Sequence, residues 1–123
     1  MKLDIELCRK ILQKIQEDGG VNGLQNFPSI ENENDDYVFY QIKKLNEAGY
    51  VKSKIFAKGL NSNYEYFKID VTFQGHEFLR QMLDNTIWEK TKEMAKKSSM
   101  SLTFETIKAI IPLAIQSLIN PNS

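Results

Sequence analysis

The stretch Leu45-Asn-Glu-Ala-Gly49-Tyr-Val51 decides the fold when it is combined with Val71-Thr72-Phe73-Gln74-Gly75. In the first stretch, a leucine at the end of a helical stripe is followed by a glycine and then by an apolar strand start. Glycine adopts a positive φ without strain, so the chain can reverse there. In the second stretch, a strand ends at Val71 and Thr72 caps the next helix. The interval between them fits one β-hairpin, so the pair predicts a helix that leads into a two-stranded wing.

Apolar residues recur with helical spacing on both sides of this hairpin. The hairpin strands are expected over residues 50–56 and 64–71, and a short strand is expected between Leu24 and Ile30. Helices are expected over residues 3–18, 35–48, 73–83, 85–97 and 103–120. This order predicts an α+β protein with a winged helix-turn-helix-like domain at 1–83 and a C-terminal helical extension at 84–123.

Charge and hydropathy narrow the class of protein. Lys and Arg together number 16, as do Asp and Glu, so the formal net charge is zero. A nucleic-acid-binding protein usually has a basic excess, so such a role here needs a local basic patch. The most apolar stretch, 107–119, is shorter than the ~20 residues that span a bilayer, and the first residues lack an uninterrupted apolar core. We therefore expect a cytoplasmic protein that does not contact a membrane.

Reactive side chains are few. Cys8 is the only cysteine and lies in the apolar arc of the first helix, so we expect it in the core. His76 is the only histidine, and a single His beside Glu77 is too little for a metal site or a catalytic triad. The sequence therefore predicts no catalytic residue, no metal site and no cofactor, and the chain is not expected to be an enzyme.

A candidate binding face can be derived for the second helix. If Val38, Ile42 and Leu45 point inward, a rotation of about 100° per residue turns Tyr40 and the neighbouring lysines outward. Further lysines lie on the predicted wing. The candidate nucleic-acid-binding residues are Tyr40, Lys43, Lys44, Lys52, Lys54 and Lys58.

Two features weigh against ordinary recognition of duplex DNA. Residues 31–36 read Glu-Asn-Glu-Asn-Asp-Asp, and these acids lie where a recognition helix would approach phosphates. Residues 19–33 lack helical periodicity, so the scaffold helix that precedes a recognition helix is expected to be absent. The aromatic residues Tyr64, Tyr66 and Phe67 could stack on bases, but on alternating strand faces they are expected to pack the hairpin onto the second helix. Duplex DNA and a protein partner both remain open.

The last helix is unusually apolar. Most of its apolar residues share one face, but Ile110 and Leu113 fall outside that face, and Pro112 interrupts the backbone bonding. Such a surface must be covered. Two arrangements stay open: the helix folds back over its own domain, or the 103–120 helix forms a homodimer.

Several segments also resemble a known family. They are Met1-Lys-Leu-Asp4 with Arg9-Lys-Ile-Leu12, Thr72-Phe-Gln-Gly-His-Glu-Phe-Leu79, Asp84-Asn-Thr-Ile-Trp-Glu-Lys90 and Ser101-Leu-Thr-Phe-Glu-Thr-Ile-Lys108. They resemble a family of uncharacterised bacterial proteins often found in phages and prophages. The resemblance implies a winged-helix-like fold and a mobile-element context, and it carries no established activity or functional residue. The resulting hypothesis is a non-enzymatic binding module that acts on DNA or in its regulation. The alternative is a protein–protein interaction adaptor that does not bind nucleic acid.

Overall fold

A computed structural model describes residues 1–54, 57–58, 64–65 and 68–120 of the chain. The predicted α+β class is confirmed, because helices flank short antiparallel strands. The elements are α1 (Ile5–Asp18), α2 (Asp35–Glu47), β1 (Val51–Lys54), β2 (Ala57–Lys58), β3 (Tyr64–Glu65), β4 (Lys68–Val71), α3 (Phe73–Leu83), α4 (Asn85–Lys97) and α5 (Phe104–Ile119). By its contacts the chain divides between Glu77 and Phe78, within α3, into two compact units.

The strands form two antiparallel pairs. In the first, β1 pairs with β4, so that Val51 lies opposite Val71. In the second, β2 pairs with β3. The strand predicted between Leu24 and Ile30 is reduced to one bridge, in which Leu24 exchanges backbone hydrogen bonds of 2.8 and 3.0 Å with Ile69 of β4. Pro28 has no backbone donor, which is consistent with the pairing stopping early.

The Met1–Glu77 unit is built around amphipathic helices. The apolar stripe of α1, including Cys8, is fully buried, which confirms the core position predicted for this thiol. The predicted stripe of α2 is buried as well. The inward-facing residues of β1 and β4 also belong to this core. The core residues of α2, β1 and β4 are Val38, Ile42, Leu45, Val51, Ile69 and Val71.

The two deciding stretches meet at one junction. Gly49 has a φ of 82°, and the Thr72 hydroxyl donates a hydrogen bond of 2.6 Å to its carbonyl oxygen. The same hydroxyl accepts the N–H of Gly75 at 3.0 Å, so Thr72 caps α3 and joins it to the end of α2. A side chain at Gly75 would collide with the carbonyl oxygen of Tyr50. Glycine is therefore required at this close approach.

The segment between α1 and α2 contains no helix, as expected. Gly20 and Gly23 close a tight turn through reciprocal backbone hydrogen bonds of 3.2 and 2.9 Å. Asn34 then caps α2, its side chain accepting the N–H groups of Asp36 and Tyr37. A recognition helix in this chain would therefore have no scaffold helix directly before it.

The Phe78–Ser123 unit contains the packed pair α4 and α5. Thr103 begins α5 with a capping box, as its position predicts. The helix continues through Pro112. Ile110 is buried, contrary to the prediction, because the inward stripe of α5 runs at helical spacing through Ile107, Ile110, Ile111 and Ala114. Among the described residues, no helix has both the length and the apolar character needed to cross a membrane.

Candidate nucleic-acid interface

The exposed side of the β1–β4 pair carries lysines. Side chains alternate along each strand, so Lys52 and Lys54 of β1 face the same way as Lys68 and Asp70 of β4. The register places Lys52 opposite Asp70 and Lys54 opposite Lys68. We call Lys52, Lys54 and Lys68 the lysine face.

The charges on the lysine face are not balanced. Lys54 and Lys68 are direct cross-strand neighbours, and like charges in that arrangement repel each other. None of the three lysines forms an ion pair with another described residue. Asp70 is the single acid of this face among the described residues, and one of its oxygens accepts the N–H of Val71 at 2.9 Å. A bound anion would relieve the repulsion between Lys54 and Lys68.

A groove of about 400 Å³ lies along this face. Asn46 of α2 borders the groove, and its side-chain oxygen accepts the N–H of Ser53 at 3.3 Å, which ties α2 to β1. Lys43 is exposed one helical turn before Asn46, so it lies on the same side of α2. The residues that line the groove are Asn46, Lys52, Ser53, Lys54, Lys68 and Asp70.

The structure brings together only part of the predicted set. Lys52 and Lys54 share one face, and Lys43 lies beside it. Tyr40 and Lys44 are engaged elsewhere: the Lys44 Nζ lies 5.2 Å from the centroid of the Tyr40 ring and 3.2 Å from Glu47 Oε2.

Lys58 lies in β2 opposite Tyr64, and its side chain is outside the described part of the structure.

Lys68 and Phe73 lie at the site as well, although the sequence pattern did not predict them. The alternation of β4 could have placed Lys68 outward, but its position opposite Lys54 depends on the register, which the sequence pattern did not fix. Phe73 is the first residue of α3 and is 77% exposed. Helical rotation places it about 180° from the buried Met82, and this signal could have revealed an outward aromatic residue.

The side chain of Tyr64 covers the N-terminal end of α2. The Tyr64 hydroxyl donates a hydrogen bond of 2.6 Å to Asp36 Oδ1. The Tyr64 ring stacks on Phe27 and on Phe39, with centroid distances of 4.7 and 4.8 Å. Burial and the bond to Asp36 raise the pKa of Tyr64 to about 12, so the phenol stays neutral. The prediction that Tyr64 packs the hairpin onto α2 is confirmed, and Tyr66 and Phe67 lie outside the described residues.

Neither the Cys8 thiol nor His76 lies in a reactive arrangement within the described residues. Burial, with a smaller contribution from Asp4, raises the pKa of the Cys8 thiol to about 12, so the thiol is not a nucleophile near neutral pH. His76 is exposed in the first turn of α3. Within the described ranges, no cluster of His, Cys, Asp and Glu side chains could hold a metal ion.

Comparison with known proteins gives two similarities. The model of a family described as "Hypothetical protein (DUF2513)" matches residues 2–101. A protein of Haemophilus influenzae described as "Uncharacterized protein" is 28% identical over 122 residues, which cover 97% of this chain and 99% of that relative. No solved structure matches the chain. Neither similarity names an activity.

Proposed function

The chain belongs to the DUF2513 family, and we propose that it is a non-enzymatic winged-helix-like module that binds nucleic acid through its lysine face. The observation that carries the proposal is the cross-strand pair of Lys54 and Lys68, two cations held together without an ion-pair partner among the described residues. A face of this kind favours a polyanion over a neutral ligand.

The topology supports a winged-helix-like assignment. Helix α2 passes through Gly49 into β1, and β1 pairs with β4 as a wing would. Leu24 supplies the third position of the sheet through its bridge to Ile69. The wing, and not the start of α2, is the proposed contact, because the start of α2 carries the acids of residues 31–36.

Phosphate groups are the proposed target of the lysines. Each lysine that neutralises a phosphate releases a condensed counterion, and the resulting affinity is independent of base sequence. Lys43, Lys52, Lys54 and Lys68 could supply four such contacts. Duplex DNA is the first partner to test, since a regulatory protein of a phage or prophage would act on it.

The cellular setting is part of the proposal. A nucleic-acid-binding role places the protein in the cytoplasm of a bacterium, and the resemblance around residues 72–90 favours a phage or prophage origin. The non-enzymatic role is supported by the inert Cys8 thiol.

A protein–protein adaptor is the second candidate, and the acidic segment 31–36 favours it. These acids precede and open α2, where they would repel phosphates but could meet a basic protein surface. A zero net charge is also compatible with a protein partner.

Fluorescence anisotropy with labelled random-sequence duplex and single-stranded DNA at about 50 mM salt tests the proposal. We expect binding by the wild type and a loss of at least about tenfold in affinity when Lys52, Lys54 and Lys68 are all changed to Gln. The matched control changes Lys10, Lys96 and Lys108 to Gln, which removes the same charge from other exposed positions. Equal losses in both variants, or no binding by the wild type to either DNA, would overturn the proposal and favour the adaptor.

A further inference from the structure

Phe73 is an exposed aromatic residue beside the lysine face. It is 77% exposed at the start of α3, although most large apolar side chains of the Met1–Glu77 unit are buried. A second groove, of about 520 Å³, lies against it. Besides Phe73, the residues that line this groove are Asn46, Gly49, Val51, Lys52, Thr72 and Gln74.

The two grooves adjoin each other. Asn46 and Lys52 line both, so the Phe73 ring lies at one end of a surface whose other end is formed by Lys54 and Lys68. An aromatic ring next to cations is the combination that proteins use to hold a base and its phosphates together.

Two polar amides, those of Asn46 and Gln74, line the groove beside the Phe73 ring. The side-chain oxygen of Asn46 accepts the N–H of Ser53, which turns its amide nitrogen toward other acceptors. The side-chain oxygen of Gln74 lies 3.2 Å from the point where a Cβ on Gly49 would stand. Since Gly49 has no side chain, the amide of Gln74 has room beside it, and Gln74 also lines this groove. Both amides can donate to the edge of a base.

We propose that this surface takes single-stranded nucleic acid, with one unpaired base stacked on the Phe73 ring and the adjoining phosphates on Lys52, Lys54 and Lys68. The inference rests on the proposed function and adds the class of nucleic acid. In a duplex the faces of the bases are stacked on one another, so an isolated ring on the protein surface has no base face to contact. An unpaired base offers its face and its edge together.

A protein partner fits this surface less well. A protein partner would contact Phe73 with an apolar side chain. The neighbouring Lys52, Lys54 and Lys68 favour a negatively charged group at the same place, which an apolar side chain does not supply. A nucleotide combines a flat apolar face with a phosphate on one short unit, which matches the ring and the lysines. Charge complementarity therefore favours the nucleic acid.

The test compares binding of a labelled oligo(dT) with binding of a duplex of the same length by fluorescence anisotropy. We expect the single strand to bind more tightly than the duplex, and Phe73→Ala and Phe73→Leu to weaken single-strand binding by about tenfold. Phe73→Leu keeps an apolar side chain, so it separates stacking from simple apolar contact. Val21→Ala is the control, because Val21 is also exposed and apolar but lies outside both grooves.

A second readout reports stacking directly. In Phe73→Trp, oligo(dT) should quench the fluorescence of the new indole, whereas the duplex should not; the buried Trp88 supplies a constant background. Full single-strand affinity in Phe73→Leu, or tighter binding of the duplex, would overturn this inference and leave the proposed function standing if the lysine variant still loses affinity. Absence of binding to both DNAs would overturn both proposals.

Discussion

Leu45 has no exposed surface and stands at the last turn of α2, where its carbonyl oxygen accepts the N–H of Tyr50 at 2.9 Å. This bond spans the reversal at Gly49, so the packing of one leucine and the entry into β1 occur at the same place. Core packing and the position of the lysine face are therefore linked at Leu45.

Leu45→Ala is expected to lower the free energy of unfolding by about 2–5 kcal/mol, because it removes buried methyl groups and leaves a cavity. The midpoint of urea unfolding measures the change, and Leu118→Ala, at a partly exposed position, is the control. A midpoint equal to that of the wild type would contradict the position of Leu45 in the core.

Cys8 gives a prediction that depends on pH. Its thiol donates to Gln41 Oε1 at 3.8 Å, and its pKa rises from 9.0 to about 12 on folding. Because the folded pKa is the higher one, the unfolded chain loses the proton first. The contribution of the neutral thiol to stability is complete below pH 9.0 and is lost as the pH rises toward 12.

Cys8→Ala removes this dependence. The difference in unfolding free energy between the wild type and Cys8→Ala should shrink by roughly 1.4 kcal/mol per pH unit above 9. Urea unfolding at about pH 8 and about pH 10 measures it, and the titration of Tyr64 cancels because both proteins contain it. The same difference at both pH values would contradict the burial of the thiol.

At the scale of elements, the hairpin shows what local patterns can and cannot predict. Alternating residues predicted one strand in each of the segments 50–56 and 64–71, where the structure describes β1 in the first, β3 and β4 in the second, and β2 just after the first. The cap at Thr72 predicted the first residue of α3, because such signals act within a few residues. Lys54 and Lys68 lie on different strands, and the alternation of residues along each strand does not give the register that pairs them. The site was therefore predicted in part, with Lys52 and Lys54 brought together and Lys68 found only in the structure.

The C-terminal helix α5 carries the prediction of a homodimer. Leu113 and Ile119 are 54% and 78% exposed, and no residue of α5 after Lys108 is charged. A second copy could cover these exposed apolar residues without bringing like charges together. We propose that the 103–120 helix pairs with its copy through these residues.

Changing both Leu113 and Ile119 to Lys should convert the dimer into a monomer in sedimentation equilibrium while the melting temperature changes little. The control changes the exposed Gln81 and Thr86 to Lys, which adds the same charge elsewhere. A wild-type monomer at all concentrations would rule out the dimer.

At the scale of the whole molecule, the net charge is zero, but acidic and basic residues lie on different parts of the surface. The acids of 31–36 gather before and at the start of α2, whereas the lysine face lies on the hairpin. Composition averages over both groups, so it predicted only that a nucleic-acid-binding role needs a local basic patch. The α+β class was predictable from helix caps and periodicity, but the segregation of charge required the strand register.

The salt dependence of nucleic-acid binding tests the central claim most directly. If Lys43, Lys52, Lys54 and Lys68 each neutralise one phosphate, the logarithm of the association constant should fall with the logarithm of the salt concentration with a slope of about −3. Changing Lys54 or Lys68 to Gln should reduce the steepness by about 0.7–0.9 each, and changing Lys10 to Gln should leave it unchanged. A slope near zero, or one that the lysine-face variants do not alter, would contradict the account.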